Sequence, residues 1–377
     1  MNPRLLVPAS ILLLAACASR APTVDAPAPA AAVVVPDAAM PAPAVVTLTE
    51  HYLSPAAPDD ELDSLATWVT PDGRTWLIAT SKSADRLLVF DADSGALLRT
   101  FGGPGAGPGQ FDRPNGVAVH GDHLFVAERD NGRVQVLALP GFEPLGSFGE
   151  AELRSPYGLW INEPAPGELE LYVTDSFMYG ERFDVVPPAA ELDQRVRRYH
   201  VRFGPDGDLS ARHAGSFGDT GASALHVVES IAGDPSRDRL LIADERFPTA
   251  DGGVGSTLRE YHLDGRATGR SLPQDVFAAE AEGVALWACS ADTGYWLAVD
   301  QLEPRTLFHL FERDSLRPAG SFRGTRTAFT DGVALHAAST PTFPHGALFA
   351  VHADTAVVAF DLQEIARGLG LAPECGG

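Results

Sequence analysis

Residues 76–82 read WLIATSK, and the same shape of sequence returns five more times. It comes back as LFVAERD at 124–130, LYVTDS at 171–176, LLIADER at 240–246, WLAVDQ at 296–301 and LFAVHAD at 348–354. Each copy is a short run of Val, Ile, Leu, Ala and aromatics that ends in polar or charged residues, the signature of a buried strand running out to a rim. Each copy also has companions. Before it stands a second run: SLATWV, NGVAV, YGLWI, ESIAG, EGVALWA or DGVAL. After it comes a third: RLLVFD, RVQVLAL, RVRRYHV, TLREYHL, TLFHLFE or AVVAFDL. A fourth often follows, as in LLRTFG, LGSFG, HAGSFG and AGSFRG. Four strands per repeat and six repeats predict an all-β chain folded as a six-bladed β-propeller. The last copy lacks a clear fourth strand, and the N-terminal run AVVTLTEHY at 44–52 is expected to supply it, closing an edge that would otherwise stay open. One longer interval, between the third and fourth copies, is explained by an insertion at 176–194.

The N-terminus has a different character. MNPRLLVPASILLLAAC carries one positive charge, Arg4, then an apolar run too short for a stable membrane span, then small residues leading to Cys17. Leu14-Ala15-Ala16-Cys17 resembles a bacterial lipobox. The resemblance implies a signal peptide over 1–16, lipidation of Cys17 and, because Ala18 is not Asp, anchoring in the outer membrane. Residues 17–44 are almost all Ala, Pro and Val and read as a tether, which leaves 45–377 for the propeller. The net charge of −22 argues against nucleic acid or an anionic membrane surface as the partner, so membrane contact is expected through the lipid alone. A monomer is expected. Cys289 reads first as a buried, inert thiol in an apolar stretch, and Cys375 lies in the tail; pairing of the two outside the cytoplasm is the second reading.

The first and second strands of a blade are antiparallel and nearest the axis. Residues entering the first and leaving the second therefore share one face of the disc. Collected by blade, they are Asp63 and Lys82; Arg113, Asn115, Glu128 and Arg129; Tyr157 and Asp175; Glu229, Asp244 and Glu245; Glu280, Glu282 and Asp300; Asp331, His352 and Asp354. Blades four to six contribute mainly carboxylates, hard ligands that suit Ca²⁺. Blades one to three contribute cations and Tyr157, which suit phosphate oxygens. Lys82 is the single lysine of a chain that otherwise uses arginine. No CxxC, HExxH or GxSxG motif is present, and GGPGAGPGQF at 102–111 lacks the Gly-Lys-Ser/Thr of a phosphate loop.

At these residues the chain resembles the β-propeller phytase (3-phytase) family. The matching stretches are DDELDSLATWV, IATSKSADRLLVFD, SPYGLWI, VVESIAGDPSRDRLLIADE, EAEGVALWACSADTGYWLAVDQ, FTDGVAL and FPHGALFAVHAD, over roughly residues 58–371. The resemblance implies a calcium-dependent phosphomonoester hydrolase acting on inositol polyphosphates or a related small phosphorylated substrate. It implies phosphate contacts from Lys82, Arg113 and Tyr157, and calcium ligation, direct or through water, by Glu229, Asp244, Glu245, Glu280, Glu282 and Asp331. With Asp63 and Asp300 from the acidic rim, the candidate metal set is Asp63, Asp244, Glu245, Glu280, Glu282, Asp300 and Asp331; the candidate catalytic set is Lys82, Arg113, Tyr157 and Glu229. The chain departs from the family pattern at Arg113-Pro114-Asn115-Gly116-Val117, where an acid is missing, and at Asp331-Gly332-Val333-Ala334, where a second one is. Blades two and three resemble the NHL repeat instead, in QFDRPNGVAVHGDHLFVAERDNGRVQVL followed by LGSFG. That resemblance implies the alternative, a non-catalytic binding or scaffold propeller of the cell envelope. A metal-dependent lactonase-like hydrolase is a third reading.

Overall fold

The computed structural model describes residues 45–249, 251–273 and 275–376. The signal segment, Cys17 and the tether lie outside the described residues. Among the described residues, no helix is long and apolar enough to cross a membrane.

Six antiparallel sheets follow one another along the chain. Blade one is built from Leu62–Val69, Thr75–Ser81, Arg86–Asp91 and Leu97–Gly102. Blade two uses Pro114–His120, His123–Glu128, Arg133–Ala138 and Glu143–Phe148. Blade three uses Pro156–Ala165, Glu168–Asp175, Val196–Phe203 and Leu209–Phe217. Blade four uses Val228–Asp234, Arg239–Pro248, Val254–Tyr261 and Ala267–Ser271. Blade five uses Ala281–Ala288, Gly294–Asp300, Leu307–Glu312 and Pro318–Gly324. Blade six uses Val333–His336, Ala347–His352 and Ala356–Asp361.

The second strand of each blade is the run first met at 76–82, and it is buried because both faces of the sheet are covered by the neighbouring blades. Apolar clusters fill the seams. Leu77, Phe90 and Phe349 lie between blades one and six, Phe125 and Tyr199 between two and three, Phe308, Phe322 and Phe360 between five and six. The first strands touch one another in sequence and the last touches the first, so the ring is closed.

Closure differs in detail from the expectation. The N-terminal run splits. Val46–Leu48 pairs in parallel with Pro318–Gly324 as a fifth strand of blade five, and only Tyr52–Leu53 pairs with Ala356–Asp361 as the fourth strand of blade six. Glu50, between them, explains the split. Its buried carboxylate accepts N–H bonds from Arg326 and Thr327 at 2.8 Å each, which pins the chain where it passes from one blade to the next. The helix Leu362–Leu369 follows and packs against Val46–Leu48, and a short helix, Pro373–Gly376, comes after it. Cys289 and Cys375 form a disulfide that ties this C-terminal segment to blade five. The inert-thiol reading of Cys289 is thereby corrected: a separation of 86 residues in sequence hides a close approach in space.

Candidate functional site

A repeated defect builds the site. The first strands of blades one to five slip register against their second strands, between Leu62 and Leu65, Pro114 and Val117, Pro156 and Leu159, Val228 and Ile231, and Ala281 and Val284. Each slip is a β-bulge, one extra residue that re-aims a side chain. The re-aimed residues are Asp63, Asn115, Tyr157, Glu229 and Glu282. In blade six, Asp331 takes the same place just before the strand. The next residue is always small: Ser64, Gly116, Gly158, Ser230, Gly283 and Gly332. These small residues let the blades meet backbone to backbone. A Cβ on Gly116 would lie 2.2 Å from the Tyr157 carbonyl oxygen, and one on Gly332 would lie 2.3 Å from that of Asp63. The carbonyls of the ring residues are held by the preceding blade: Thr80 Oγ1 donates to Asn115 at 2.6 Å, Thr174 Oγ1 to Glu229 at 2.6 Å, and Gly283 N–H to Asp331 at 2.9 Å. With the carbonyls fixed, six side chains are left to face one end of the axis. Beneath them runs an axial cavity of about 350 Å³, whose wall includes the six small residues and then Leu65, Val117, Leu159, Ile231, Val284 and Val333.

The ends of the second strands complete the rim, and alternation sorts them. One residue of each pair turns back into the blade. Asp244 accepts N–H bonds from His226 and Val227 at 2.9 and 3.0 Å and pairs with Arg259 at 2.7 Å. Asp300 accepts from Ala278 and Ala279 at 2.9 and 2.8 Å. Asp175 does the same for Arg154 and Ser155, with Arg197 at 3.1 Å. These carboxylates clamp the loop that leads into each first strand. Asp244 and Asp300 therefore serve blade closure, in place of the metal role the sequence suggested. The following residue points the other way: Lys82, Arg129, Ser176, Glu245 and Gln301.

Two groups form around the axis. Lys82, 8 % exposed, places Nζ 3.1 Å from both Asp63 Oδ2 and Asp331 Oδ2 and 3.8 Å from Glu61 Oε1. Burial works against its charge, but the Asp63, Asp331 and Glu229 carboxylates outweigh it and hold the ammonium well above the ordinary lysine range. Gln301 Nε2 donates to the other Asp331 oxygen. Arg113 Nη2 reaches Glu61 Oε1 at 3.2 Å, so the cationic half is already matched to an acid the sequence reading overlooked. The second group is Glu229, Glu245 and Glu282, which offer ligand oxygens all within 4.8 Å of one another. Glu245 and Glu282 are buried. Burial and the neighbouring acids push Glu229 up to about 8, Asp331 up to about 7, and Glu245 and Glu282 well above the carboxylate range. Tyr157 is driven up by burial, then by Glu229 and Asp63, and stays a phenol.

Several buried groups at this end of the axis have unspent bonding capacity, and two of them stand in the ring and beside the triad. Glu245 Oε1 lacks a partner, and so do both Oδ1 and Nδ2 of Asn115, which is 0 % exposed and holds blade two's place in the ring. Buried polar atoms are nearly always satisfied, and such exceptions suit an ion or water. Oxygen-rich, anionic and closely spaced, the three glutamates fit a calcium ion. Glu280 does not join them; it is half-exposed and paired to Arg246 at 2.7 Å. The insertion at 176–194 is tied to blade three. Arg154 stacks over Phe177 at 3.8 Å, and Tyr179 donates to Glu191 at 2.6 Å, while Phe183 stands 76 % exposed. Gln301 and Glu61 are the site residues that sequence reading missed. Gln301 shares its phase with Lys82 and Glu245, so strict alternation from the clamp residues would have found it.

Known proteins resemble this chain in part. The NHL repeat family matches residues 111–137, the heart of blade two. No curated protein matches the chain. Among solved structures, the nidogen–laminin complex is 18 % identical, covering 74 % of this chain and 87 % of that one, with a TM-score of 0.49. Kuenenia stuttgartiensis hydrazine synthase is 13 % identical, covering 86 % and 82 %, at 0.47. A catalytically inactive virginiamycin B lyase from Staphylococcus aureus, with quinupristin, is 10 % identical, covering 82 % and 98 %, at 0.46. The chain carries an NHL repeat in a six-bladed β-propeller.

Proposed function

We propose that the axial glutamates form a calcium centre and that the protein is a calcium-dependent phosphomonoester hydrolase. The observation that carries this reading is the triad itself: Glu229, Glu245 and Glu282 bring ligand oxygens within 4.8 Å of one another, with a buried Glu245 oxygen left unpartnered, at the end of the axis where Lys82 and Arg113 also gather. Glu229, Glu245 and Glu282 would hold the ion. When bound, calcium supplies positive charge that offsets the charge developing on phosphoryl oxygens. The chain's own residues do the rest. Arg113 and Arg129 orient the phosphate through guanidinium donors. Tyr157, kept protonated, donates to a phosphate oxygen. Lys82 holds Asp63 and Asp331 in place with two of its three donors and turns the third to the substrate, displacing the longer contact to Glu61.

The disulfide supports a home outside the cytoplasm, and the signal segment and Cys17 would fix the protein there by lipid. The test is phosphate release from inositol hexakisphosphate by the 18–377 chain, with calcium and then with a chelator. Release that needs calcium supports the hydrolase. No release by the folded, calcium-binding protein from this or other phosphomonoesters favours the second reading, a binding propeller. That reading has its own observation: the NHL match covers blade two, where the ring position is the amide of Asn115 and not an acid.

A further inference from the structure

The axial cavity is chemically unlike the rim above it. It holds about 350 Å³, and no charged side chain lines it. Its wall is glycine, alanine and larger aliphatic residues, with the hydroxyls of Ser64 and Ser230 and one aromatic, Trp160. That aromatic breaks the six-fold pattern. Three residues past the axial side chain stands an alanine in five blades: Ala66, Ala118, Ala232, Ala285 and Ala334. In blade three the residue is Trp160. Blade four departs to match it. Where the other blades carry Thr67, Val119, Ile161, Leu286 or Leu335, it carries Gly233. A Cβ there would lie 2.3 Å from Trp160 Cη2, so the indole lies against blade four only because that residue has no side chain. Two departures in neighbouring blades thus set one large aromatic into a wall otherwise built from smaller groups. Trp160 is not spent on packing alone. It stays half-buried, as do Ala285, Leu286 and Leu335 of blades five and six, and among the described residues its indole N–H has no hydrogen-bond partner. An apolar cavity of about 150 Å³ takes up benzene, so this one has room for a larger ring system. An apolar wall with a few placed polar groups is the usual make-up of a small-molecule site.

We propose that the axial cavity binds a small, uncharged, largely apolar ligand that carries a ring, with Trp160 as its platform. The ligand's ring lies along the indole, the aliphatic groups of blades five and six close on its other side, and Trp160 Nε1–H donates to an acceptor on its edge. Charge is excluded, because the wall offers neither an acid nor a base and burying an unpaired charge is costly. The axial carboxylates stand above the small residues and are not part of the wall. The site therefore needs neither calcium nor phosphate, and it does not rest on the hydrolase reading.

The experiment titrates the 18–377 chain with two probes. N-phenylnaphthylamine is uncharged and brightens in apolar surroundings; anilinonaphthalene sulfonate is of similar size and carries an anion. The neutral probe should bind one site with a Kd on the order of 10 µM, and the sulfonate roughly tenfold more weakly or worse. Tryptophan emission should be quenched in step with binding, by energy transfer to the probe. Calcium and chelator should give the same curve. Ala285→Phe, which puts a ring into the cavity, should abolish binding. Trp160→Leu should weaken it roughly tenfold and remove much of the quenching. Tm shows whether each variant is folded, and Leu335→Phe, a smaller change in the same wall, takes the place of Ala285→Phe should that one unfold. Equal binding of the two probes, binding that the folded blocking variant leaves intact, or binding that depends on calcium would overturn the proposal. So would a folded chain that takes up neither probe.

Discussion

Among single residues, Glu245 stands where the two halves of the rim meet the triad. It is buried, unpartnered at Oε1 and within reach of two further glutamates. Glu245→Gln should remove the calcium-induced rise in Tm while leaving the protein at least as stable in chelator, since one ionisable group leaves the cluster. In the unaltered protein that rise should correspond to about 2.7 kcal/mol at a hundredfold excess over the dissociation constant. Differential scanning calorimetry at several calcium concentrations reads both. The same cluster fixes a pH dependence. Glu229 and Asp331 bind protons more tightly folded than unfolded, so their contribution is full below the unfolded values near 4, fades as pH rises from there, and is gone once pH has passed about 7 to 8. In chelator, Tm should therefore fall across that window, and calcium should flatten the fall. Lys82 carries a different risk. With its charge removed, Asp63 and Asp331 face each other uncompensated, so Lys82→Ala should destabilise the fold by about 3–5 kcal/mol in chelator, measured by urea unfolding. Activity loss in that variant would then report folding as well as phosphate contact.

The elements show how a repeat makes a site. A strand with a bulge would be a flaw in an isolated sheet; five bulges in register around an axis present a ring of side chains. The small residue after each ring position is what allows it. Gly116→Ala would press a methyl to 2.2 Å from the Tyr157 carbonyl, between two backbones that cannot yield separately. It should destabilise by about 2 kcal/mol or more and loosen the ring, seen as lower Tm and weaker calcium binding. Blades one and four already carry Ser64 and Ser230 there, so the collar accepts a Cβ only where its neighbours give way. Alternation explains why acids adjacent in sequence have different roles. Asp244 faces into the blade and clamps two N–H groups, while Glu245, one residue on, faces the axis.

At the scale of the whole molecule, the ends of the chain matter most. The N-terminal segment serves two blades at once, and the helix Leu362–Leu369 covers its first strand. The Cys289–Cys375 bond locks that arrangement from the other side. Cys375→Ser should lower stability by about 2–5 kcal/mol. Limited proteolysis should then cut first near Val46–Leu48, because the strand loses its cover while the inner strands keep theirs. If cleavage stays where it was, the clasp does not hold that strand.

The six-fold repeat, the four strands of most blades and the face on which the polar side chains gather were legible in the sequence, because buried strands need apolar residues at fixed spacing and rims need charge. Lys82, Glu229, Glu245, Glu282 and Asp331 stood out for the same reason: polar groups sit at the ends of apolar runs. Three things depended on tertiary structure. The split of residues 45–53 between two blades followed from Glu50, whose partners lie some 275 residues away. The disulfide followed from the docking of a C-terminal segment with no repeat signal of its own. The division of the acids into clamps, counterions of Lys82 and an axial triad depended on alternation at the ends of the second strands and on the bulges of the first, which shift side-chain direction by one residue and leave almost no trace in composition. Local pattern determines which strands form and which way they run; only closure of the ring decides which carboxylates meet.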